Sequence, residues 1–251
     1  MVLDGLELLA VELRPLVVGV RGVELELEPR RGPLLLAGGE PIAYLTGLQD
    51  FWSLSLEVNT STLIPRPETE LLVETSLELI DLQDARVLDL GTGTGAVALA
   101  LAKERPGWEV LAVDVVLEAV ALAERNRCRH GLDNVSVMES NWFAGLAGRR
   151  FDLIVSNPPY IEPDDPHLLQ GDVRFEPRSA LVAKNRGFSA LETIASGASA
   201  YLKAGGWLLL EHGFDQAKTV RALLRASGFV EVASRRDNQG HERVSHGRKP
   251  G

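Results

Sequence analysis

Cysteine is nearly absent from the sequence, because Cys128 is the only one among its 251 residues. A single cysteine excludes a disulfide bond within the chain, which suits a protein of the reducing cytoplasm. No cluster of cysteine and histidine has the spacing of a metal site, and the five histidines are scattered along the chain. We therefore expect a cytoplasmic protein that uses no metal.

A long apolar run is also missing. The first twenty residues are apolar in places, but they are interrupted by Asp4, Glu7, Glu12, Arg14 and Pro15. A membrane-spanning helix needs about 20 consecutive apolar residues, and a signal peptide needs a basic start and a cleavage site. Neither pattern is present, so we expect no membrane partner.

Basic residues are fewer than acidic ones, 26 against 35, and the formal net charge is −9. Proteins whose affinity depends on neutralising many phosphates are basic on at least one face. The charge balance therefore argues against a direct nucleic-acid partner, although a local basic patch is compatible with it. With 45% hydrophobic and 24% charged residues the composition is that of a globular protein, and the length suffices for one substantial domain.

Alternating strand and helix patterns are what the sequence does contain. Strand patterns occur in ARVLDL, EVLAVD, NVSVM, FDLIVS, GGWLLLEHG, FVEVASRR and ERVSHGR. Helical patterns occur in AVALALAKE, LEAVALAERNRCRHG, GFSALETIASGASAYL and FDQAKTVRALLRASG. This alternation predicts an α/β fold with a mostly parallel sheet covered by helices on both faces. The last two strands follow each other without a helix, so one of them should be antiparallel.

The region before this alternation is harder to interpret. Residues 1–40 show no sustained period, and we predict no firm element there. FWSLSLEV, residues 51–58, alternates apolar and polar residues as a half-buried strand does. A helix is predicted to start near Glu68, after Pro67. Farther along, residues 162–185 form a loop long enough to be a candidate binding loop.

A glycine-rich turn joins the first strand of the alternating part to its helix. VLDLGTGTG places Gly91, Gly93 and Gly95 where the chain must turn tightly and admit a ligand. Asp114 ends the next strand, where an acidic side chain accepts the hydroxyls of a ribose. The G-x-G-x-G spacing differs from that of dinucleotide-binding proteins, and Asp89 would repel a pyrophosphate. A ligand with a ribose, a positive charge and no phosphate fits better, which favours S-adenosylmethionine as a methyl donor over a merely structural turn.

A second motif follows the strand FDLIVS. Asn157, Pro158, Pro159 and Tyr160 form a stiff turn, because proline fixes φ and restricts the residue before it. The Asn157 side-chain oxygen and the Pro158 carbonyl are acceptors for the hydrogens of a planar amide or amine, and the Tyr160 ring can pack on its flat face. Such acceptors would orient the nitrogen for in-line attack on a methyl group.

With both motifs, the chain resembles the release-factor glutamine methyltransferases, the HemK/PrmC family. The resemblance covers residues 39–248 and rests on GEPIAYLTG, FWSL, LIPRPETE, VLDLGTGTGAVALALA, AVD, NWF, VSNPPYI, DPHL, QGDVRFEP, LLLEHG and ERV. It implies a Rossmann-like class I S-adenosylmethionine-dependent methyltransferase, with a seven-stranded sheet preceded by a β-hairpin. It also implies methylation of the side-chain amide of the glutamine in the Gly-Gly-Gln motif of class 1 peptide-chain release factors.

The resemblance further implies roles for individual residues. The methyl donor would be bound by Gly91, Thr92, Gly93, Thr94, Gly95, Asp114 at the ribose, Trp142 against the adenine, and Asn157. The glutamine would be held by Asn157, Pro158, Pro159 and Tyr160, and of these Asn157, Pro158 and Tyr160 would take part in catalysis. Residues 66–70 would border the active site, and residues 171–177 would form part of the surface around the target loop.

Two departures from the family pattern affect these expectations. Asn141 stands where the family usually has an acid before Trp142, and its amide oxygen can still accept from the adenine amino group. Only 38 residues precede GEPIAYLTG, where the family has a larger helical domain. We accordingly expect residues 1–40 to be a short divergent N-terminal segment, residues 41–66 a linker and β-hairpin, and residues 67–251 the catalytic domain of a monomer.

Three alternatives remain open from the sequence. PRPETE favours release factors as acceptors, but a sister group of enzymes methylates a glutamine of a ribosomal protein. The Asn-Pro-Pro-Tyr turn also occurs in enzymes that methylate the exocyclic amino group of adenine in nucleic acid after base flipping. The third alternative is a protein that binds the donor but has lost the recognition of its partner.

Overall fold

The computed structural model describes residues 17–20, 23–26 and 39–251, so most of the predicted N-terminal segment lies outside the described residues. The strands are β1 (Val17–Val20), β2 (Val23–Glu26), β3 (Leu48–Phe51), β4 (Leu54–Glu57), β5 (Arg86–Leu90), β6 (Glu109–Asp114), β7 (Val135–Glu139), β8 (Phe151–Ser156), β9 (Leu202–Glu211), β10 (Val230–Arg236) and β11 (Glu242–Arg248). The α-helices are α1 (Ile42–Thr46), α2 (Glu70–Leu79), α3 (Ala96–Glu104), α4 (Leu117–His130), α5 (Arg178–Leu181), α6 (Ser189–Ala198) and α7 (Ala217–Ala226).

The main sheet has seven strands in the order β10-β11-β9-β8-β5-β6-β7. The pairs among β7, β6, β5, β8 and β9 are parallel, whereas β11 pairs antiparallel with both β9 and β10. The predicted fold class, with a mostly parallel sheet and a reversed strand near its end, is therefore confirmed. The strand order reverses between β5 and β8, which is where ligands bind in sheets of this type.

Successive residues of a strand point to opposite faces of the sheet. The strands carry apolar residues at successive positions, so both faces are apolar and helices cover each of them. Val87 of β5 is fully buried in a cluster with Leu72 of α2 and Leu99 of α3. Its neighbour Leu88 is fully buried in a second cluster on the other face, with Leu191 of α6. Both faces of the sheet are thus buried, which is why the sequences of its strands are nearly continuous apolar runs.

The hairpin of β3 and β4 packs on the same core, and it differs from the strand predicted for FWSLSLEV. The turn of the hairpin lies inside that segment, because Trp52 adopts a left-handed conformation with φ 55°. The Trp52 backbone N–H donates to Oε1 of Glu70 at 2.6 Å, so α2 holds the turn in place. Only β4 keeps the predicted alternation, with Leu54 and Leu56 buried.

An antiparallel pair, β1 and β2, occurs where the sequence predicted no element. That expectation was wrong for these strands. Their valine content favours extended backbone, but the glycines and prolines around them obscure the pattern.

The predicted binding loop, residues 162–185, contains short 3₁₀ turns at Pro166–Leu169 and Gly171–Phe175 before α5. Its end returns to the proline turn, since the backbone N–H of Ala183 donates to the Ile161 carbonyl at 2.9 Å. In the part of the chain that the structure describes, no helix is long and apolar enough to cross a membrane.

Candidate active site

A cavity opens at the carboxyl end of the sheet, above β5 and β6 and beside β8. Its lining includes eight predicted site residues: Gly91, Thr92, Gly93, Thr94, Asp114, Trp142, Asn157 and Pro159. Gly95, Pro158 and Tyr160 lie outside this lining. The structure thus brings the glycine loop, the carboxylate after β6 and the start of the proline turn to one place, and the roles assigned to these residues stay predictions.

The glycine loop is held by the neighbouring strand. The backbone N–H groups of Gly91 and Thr92 both donate to the Val113 carbonyl, at 2.9 and 3.0 Å. Gly91 has φ 71°, and a Cβ atom there would lie 3.6 Å from the Trp142 ring. The left-handed backbone explains why glycine suits this position, while the Trp142 ring lies at an ordinary van der Waals distance.

Asp114 is fixed by backbone donors on both of its oxygens. Its Oδ2 accepts from the Gly93 N–H at 2.9 Å, and its Oδ1 accepts from the Val116 N–H at 3.0 Å. A carboxylate oxygen has two lone pairs, so each oxygen can still accept from a ligand hydroxyl. The carboxylate therefore presents two oriented acceptors to the cavity, as recognition of a ribose diol requires.

A second carboxyl group, Asp89, lies beneath the glycine loop and is 2% exposed. Burial raises the pKa of Asp89 to about 7, while a hydrogen bond from the Thr92 hydroxyl, at 2.7 Å, opposes the rise. A cation in the cavity would favour its ionised form. The floor of the site is therefore suited to a positively charged ligand.

The start of the proline turn is anchored by two hydrogen bonds. The Ser156 hydroxyl at the end of β8 donates to the Leu90 carbonyl at 2.7 Å, which ties the turn to the strand before the glycine loop. The Asn157 side chain donates through Nδ2 to the Thr69 hydroxyl oxygen at 3.1 Å. Among the described residues Asn157 Oδ1 has no hydrogen-bond partner, and the residue lines the cavity, so this oxygen is available to a ligand.

Tyr160 faces the protein interior. Its ring packs against the second core cluster, and its hydroxyl lies 3.5 Å from Oε1 of Glu211 at the end of β9. Burial raises the pKa of Tyr160, so the hydroxyl stays protonated at neutral pH. The contact between Tyr160 and Glu211 was not predicted from the sequence.

The opposite wall is formed by the segment before α2. Arg66 and Thr69, from the predicted border segment 66–70, line the cavity. Glu176 fixes this wall, because its carboxylate accepts from the Ile64 N–H at 2.9 Å and from Arg66 Nη2 at 2.7 Å. Glu176 belongs to the QGDVRFEP motif, so the predicted target-loop surface is linked to the active-site border.

Sequence reasoning missed two buried polar groups at this site. The Thr62 hydroxyl belongs to a residue of the cavity lining, and it has no hydrogen-bond partner in the described part of the chain. Glu211 is 2% exposed, and its Oε2 likewise has no partner there. The signal for Glu211 was present, since a carboxylate directly follows the apolar run WLLL. No group of three or more metal-ligand side chains occurs among the described residues.

Comparisons with known proteins match this geometry. The family model "Methyltransferase small domain" matches residues 67–170. The release factor glutamine methyltransferase of Salmonella typhimurium is 58% identical over 210 residues, which are 84% of this chain and 76% of that protein. The release factor glutamine methyltransferase of Pseudomonas aeruginosa is 60% identical over 209 residues, 83% of this chain and 76% of that protein. A crystal structure of a methyltransferase from Pyrococcus furiosus shares the fold, with a TM-score of 0.61, 21% identity, and coverage of 90% of this chain and 100% of that chain.

Proposed function

The chain belongs to the release factor glutamine methyltransferases, and we propose that it methylates the glutamine side-chain amide in the Gly-Gly-Gln motif of class 1 release factors. The observation that carries this proposal is the Asn157 amide at the cavity that also contains Asp114 and the glycine loop. This arrangement joins a site for a ribose-bearing methyl donor to a receptor for a planar amide.

S-adenosylmethionine is the proposed donor, and the residues present fit it. Asp114 offers acceptors to the ribose hydroxyls, the Trp142 ring beside Gly91 offers a flat surface to the adenine, and Asn141 in the cavity lining can accept from its amino group. The Thr62 hydroxyl, which has no hydrogen-bond partner among the described residues, and the carboxyl group of Asp89 are available to the polar end of the donor. The sulfonium of the donor supplies an activated methyl group, so no metal is needed in this proposal.

The chain's own contribution to the reaction is to position the acceptor amide. An amide nitrogen is a poor nucleophile because its lone pair is delocalised into the carbonyl group. Asn157 Oδ1 accepts one hydrogen of the substrate amide and the Pro158 carbonyl accepts the other, which stabilises the positive charge that develops on nitrogen. The nitrogen forms the new N–C bond as the C–S bond breaks, and the proton that nitrogen loses passes to solvent.

Methyl incorporation from labelled donor tests this function. The wild-type chain is expected to label a purified class 1 release factor. A factor whose motif is changed to Gly-Gly-Asn should remain unlabelled, because its amide is one methylene short of the aligned nitrogen. Labelling of duplex DNA or of a ribosomal protein in place of the release factor would favour the corresponding alternative, and donor binding without transfer to any acceptor would identify a binding protein.

A further inference from the structure

Phe214 is an exposed aromatic side chain that the proposed chemistry does not use. It lies between β9 and α7, and 61% of its surface is exposed. A single exposed apolar side chain is common on protein surfaces and needs no special reason. Phe214 differs from such a residue in its place beside the active site and in the contacts that orient its ring.

The loop that carries Phe214 leaves the sheet beside the proline turn. Because β8 and β9 are parallel neighbours, the segments that follow them emerge at the same edge of the sheet. The Gln216 side chain joins the two segments: its Nε2 donates to the Tyr160 carbonyl at 3.0 Å, and its Oε1 accepts from the Gly213 N–H at 2.9 Å. Phe214 is therefore fastened next to the turn that is proposed to hold the acceptor glutamine.

The Phe214 ring is supported from one side by the start of the last strand. The centroid of the His241 ring lies 5.7 Å from that of Phe214, and Cζ of Arg243 lies 5.8 Å from the Phe214 centroid. Arg243 is in turn held by Asp237, because its Nε donates to Oδ2 at 3.1 Å. A ring that is already oriented loses little conformational freedom when a partner binds, so it can contribute most of its buried surface to affinity.

Exposed apolar side chains also occur on the other side of the cavity. Val115 and Leu117 follow β6, more than half of each is exposed, and Val115 lines the cavity. In the sheet, β6 and β9 lie on opposite sides of the pair β8-β5, so these residues and Phe214 flank the active site. A protein acceptor whose side chain enters the cavity would cover this edge of the sheet.

Resting on the proposed function, we propose that Phe214 is a docking residue for the release factor and packs against apolar side chains beside its acceptor glutamine. The Gln216 link sets the distance between this contact and the proline turn, so docking at Phe214 brings the glutamine to that turn. The contact lies outside the donor cavity. It therefore contributes to affinity for the acceptor protein and leaves donor binding and the chemical step to other residues.

The variant Phe214→Ala tests this role because it removes the ring and leaves the cavity lining intact. KM for a purified class 1 release factor should rise by about 10- to 30-fold, and Kd from surface plasmon resonance should rise in parallel, since truncation of an interface hot spot has effects of this size. We expect kcat at saturating release factor, and the affinity for S-adenosylmethionine measured by calorimetry, to stay at their wild-type values. Phe214→Trp keeps an aromatic ring and should restore most of the affinity.

Val230→Ala is the matched control. Val230 is 45% exposed and starts β10, at the far end of the β10–β11 hairpin from His241. This variant should bind the release factor like the wild type. Wild-type KM in Phe214→Ala, an equal rise of KM in the two alanine variants, or a loss of kcat with unchanged KM would overturn the inference.

Two further outcomes separate the inference from its alternatives. Sedimentation velocity that finds a wild-type dimer, dissociated by Phe214→Ala, would identify a second copy of the chain as the occupant of this surface and would overturn the inference. A wild-type chain that binds donor but neither binds nor labels a release factor would overturn the proposed function itself, and this inference with it. Labelling of the factor by both the wild type and Phe214→Ala at equal KM would overturn the inference alone.

Discussion

At the scale of single residues, the carboxyl groups near the cavity differ in what surrounds them. Asp114 is held by two backbone N–H groups, which fix the direction of its carboxylate. Asp89 and Glu211 are buried with fewer donors, and burial raises the pKa of each to about 7. Backbone donors thus orient Asp114, whereas burial moves the pKa values of Asp89 and Glu211 toward neutral pH.

Asp114→Ala is predicted to weaken donor binding. The dissociation constant for S-adenosylmethionine should rise by about 10- to 100-fold, because hydrogen bonds to a charged group contribute about 1.5–3 kcal/mol. Isothermal calorimetry measures the change. Asp133→Ala, whose carboxylate is fully exposed, is the control and should bind donor like the wild type. Unchanged affinity in Asp114→Ala would refute the ribose assignment.

Glu211→Gln is predicted to gain stability relative to the wild type as pH rises. The pKa of Glu211 is about 7 in the folded protein against 4.5 for the ordinary group, so the folded state binds more protons between these values. Its contribution to stability is present below pH 4.5 and is lost as pH rises through 7. The difference between the two proteins in the free energy of unfolding should grow by on the order of 3 kcal/mol from pH 5 to pH 8.

Urea unfolding at the two pH values checks this prediction. His212 and His246 have lowered pKa values because they are buried, and they act in the opposite direction below pH 6.5, but they are common to both proteins and cancel in the difference. A difference that stays constant with pH would show that Glu211 does not titrate in this range.

At the scale of elements, the β3–β4 hairpin is joined to the glycine loop through α4. Asn126 of α4 is fully buried, and its Oδ1 accepts from the Glu57 N–H at 2.7 Å. Its Nδ2 donates to the carbonyls of Glu57 and Thr94, at 3.0 and 2.9 Å. One side chain thus fixes the end of β4 against the loop that borders the cavity. The division into a hairpin of residues 41–66 and a catalytic domain of residues 67–251 stays a prediction.

Asn126→Ala should therefore affect both stability and donor binding. It leaves one N–H and two carbonyl groups without their partner, so the free energy of unfolding should fall by about 2–4 kcal/mol. Urea denaturation measures this loss, and calorimetry should show weaker donor binding as Thr94 becomes less constrained. Cys128→Ala, at an exposed position of the same helix, should change neither. Equal stability of the two variants would contradict the proposed link.

The elements also show which parts of the fold the sequence determines locally. The strands and helices from β5 onward follow apolar periodicity, so their order and the reversed strand were predictable. The turn at Trp52 was not, because it depends on a hydrogen bond from Glu70 in another element. The hydrogen bond between Asn157 and Thr69 was missed for the same reason: the two residues come from segments that meet only after folding.

At the scale of the whole molecule, one cavity combines groups from distant parts of the chain. The glycine loop and Asp114 form its floor, the segment with Thr69 forms one wall, and Asn157 stands where they meet. Sequence patterns predicted each motif, and the family resemblance predicted that they would act together. The net charge of −9 is compatible with a protein acceptor and gives no general attraction for nucleic acid.

The central claim is that this cavity methylates a glutamine held by Asn157. Mass spectrometry of a class 1 release factor, after incubation with S-adenosylmethionine and either the wild type or Asn157→Ala, tests it most directly. The wild type should add one methyl group to the glutamine of the Gly-Gly-Gln motif, and the variant should add none while it still binds the donor. A methyl group on another residue, or equal methylation of that glutamine by Asn157→Ala, would contradict the account.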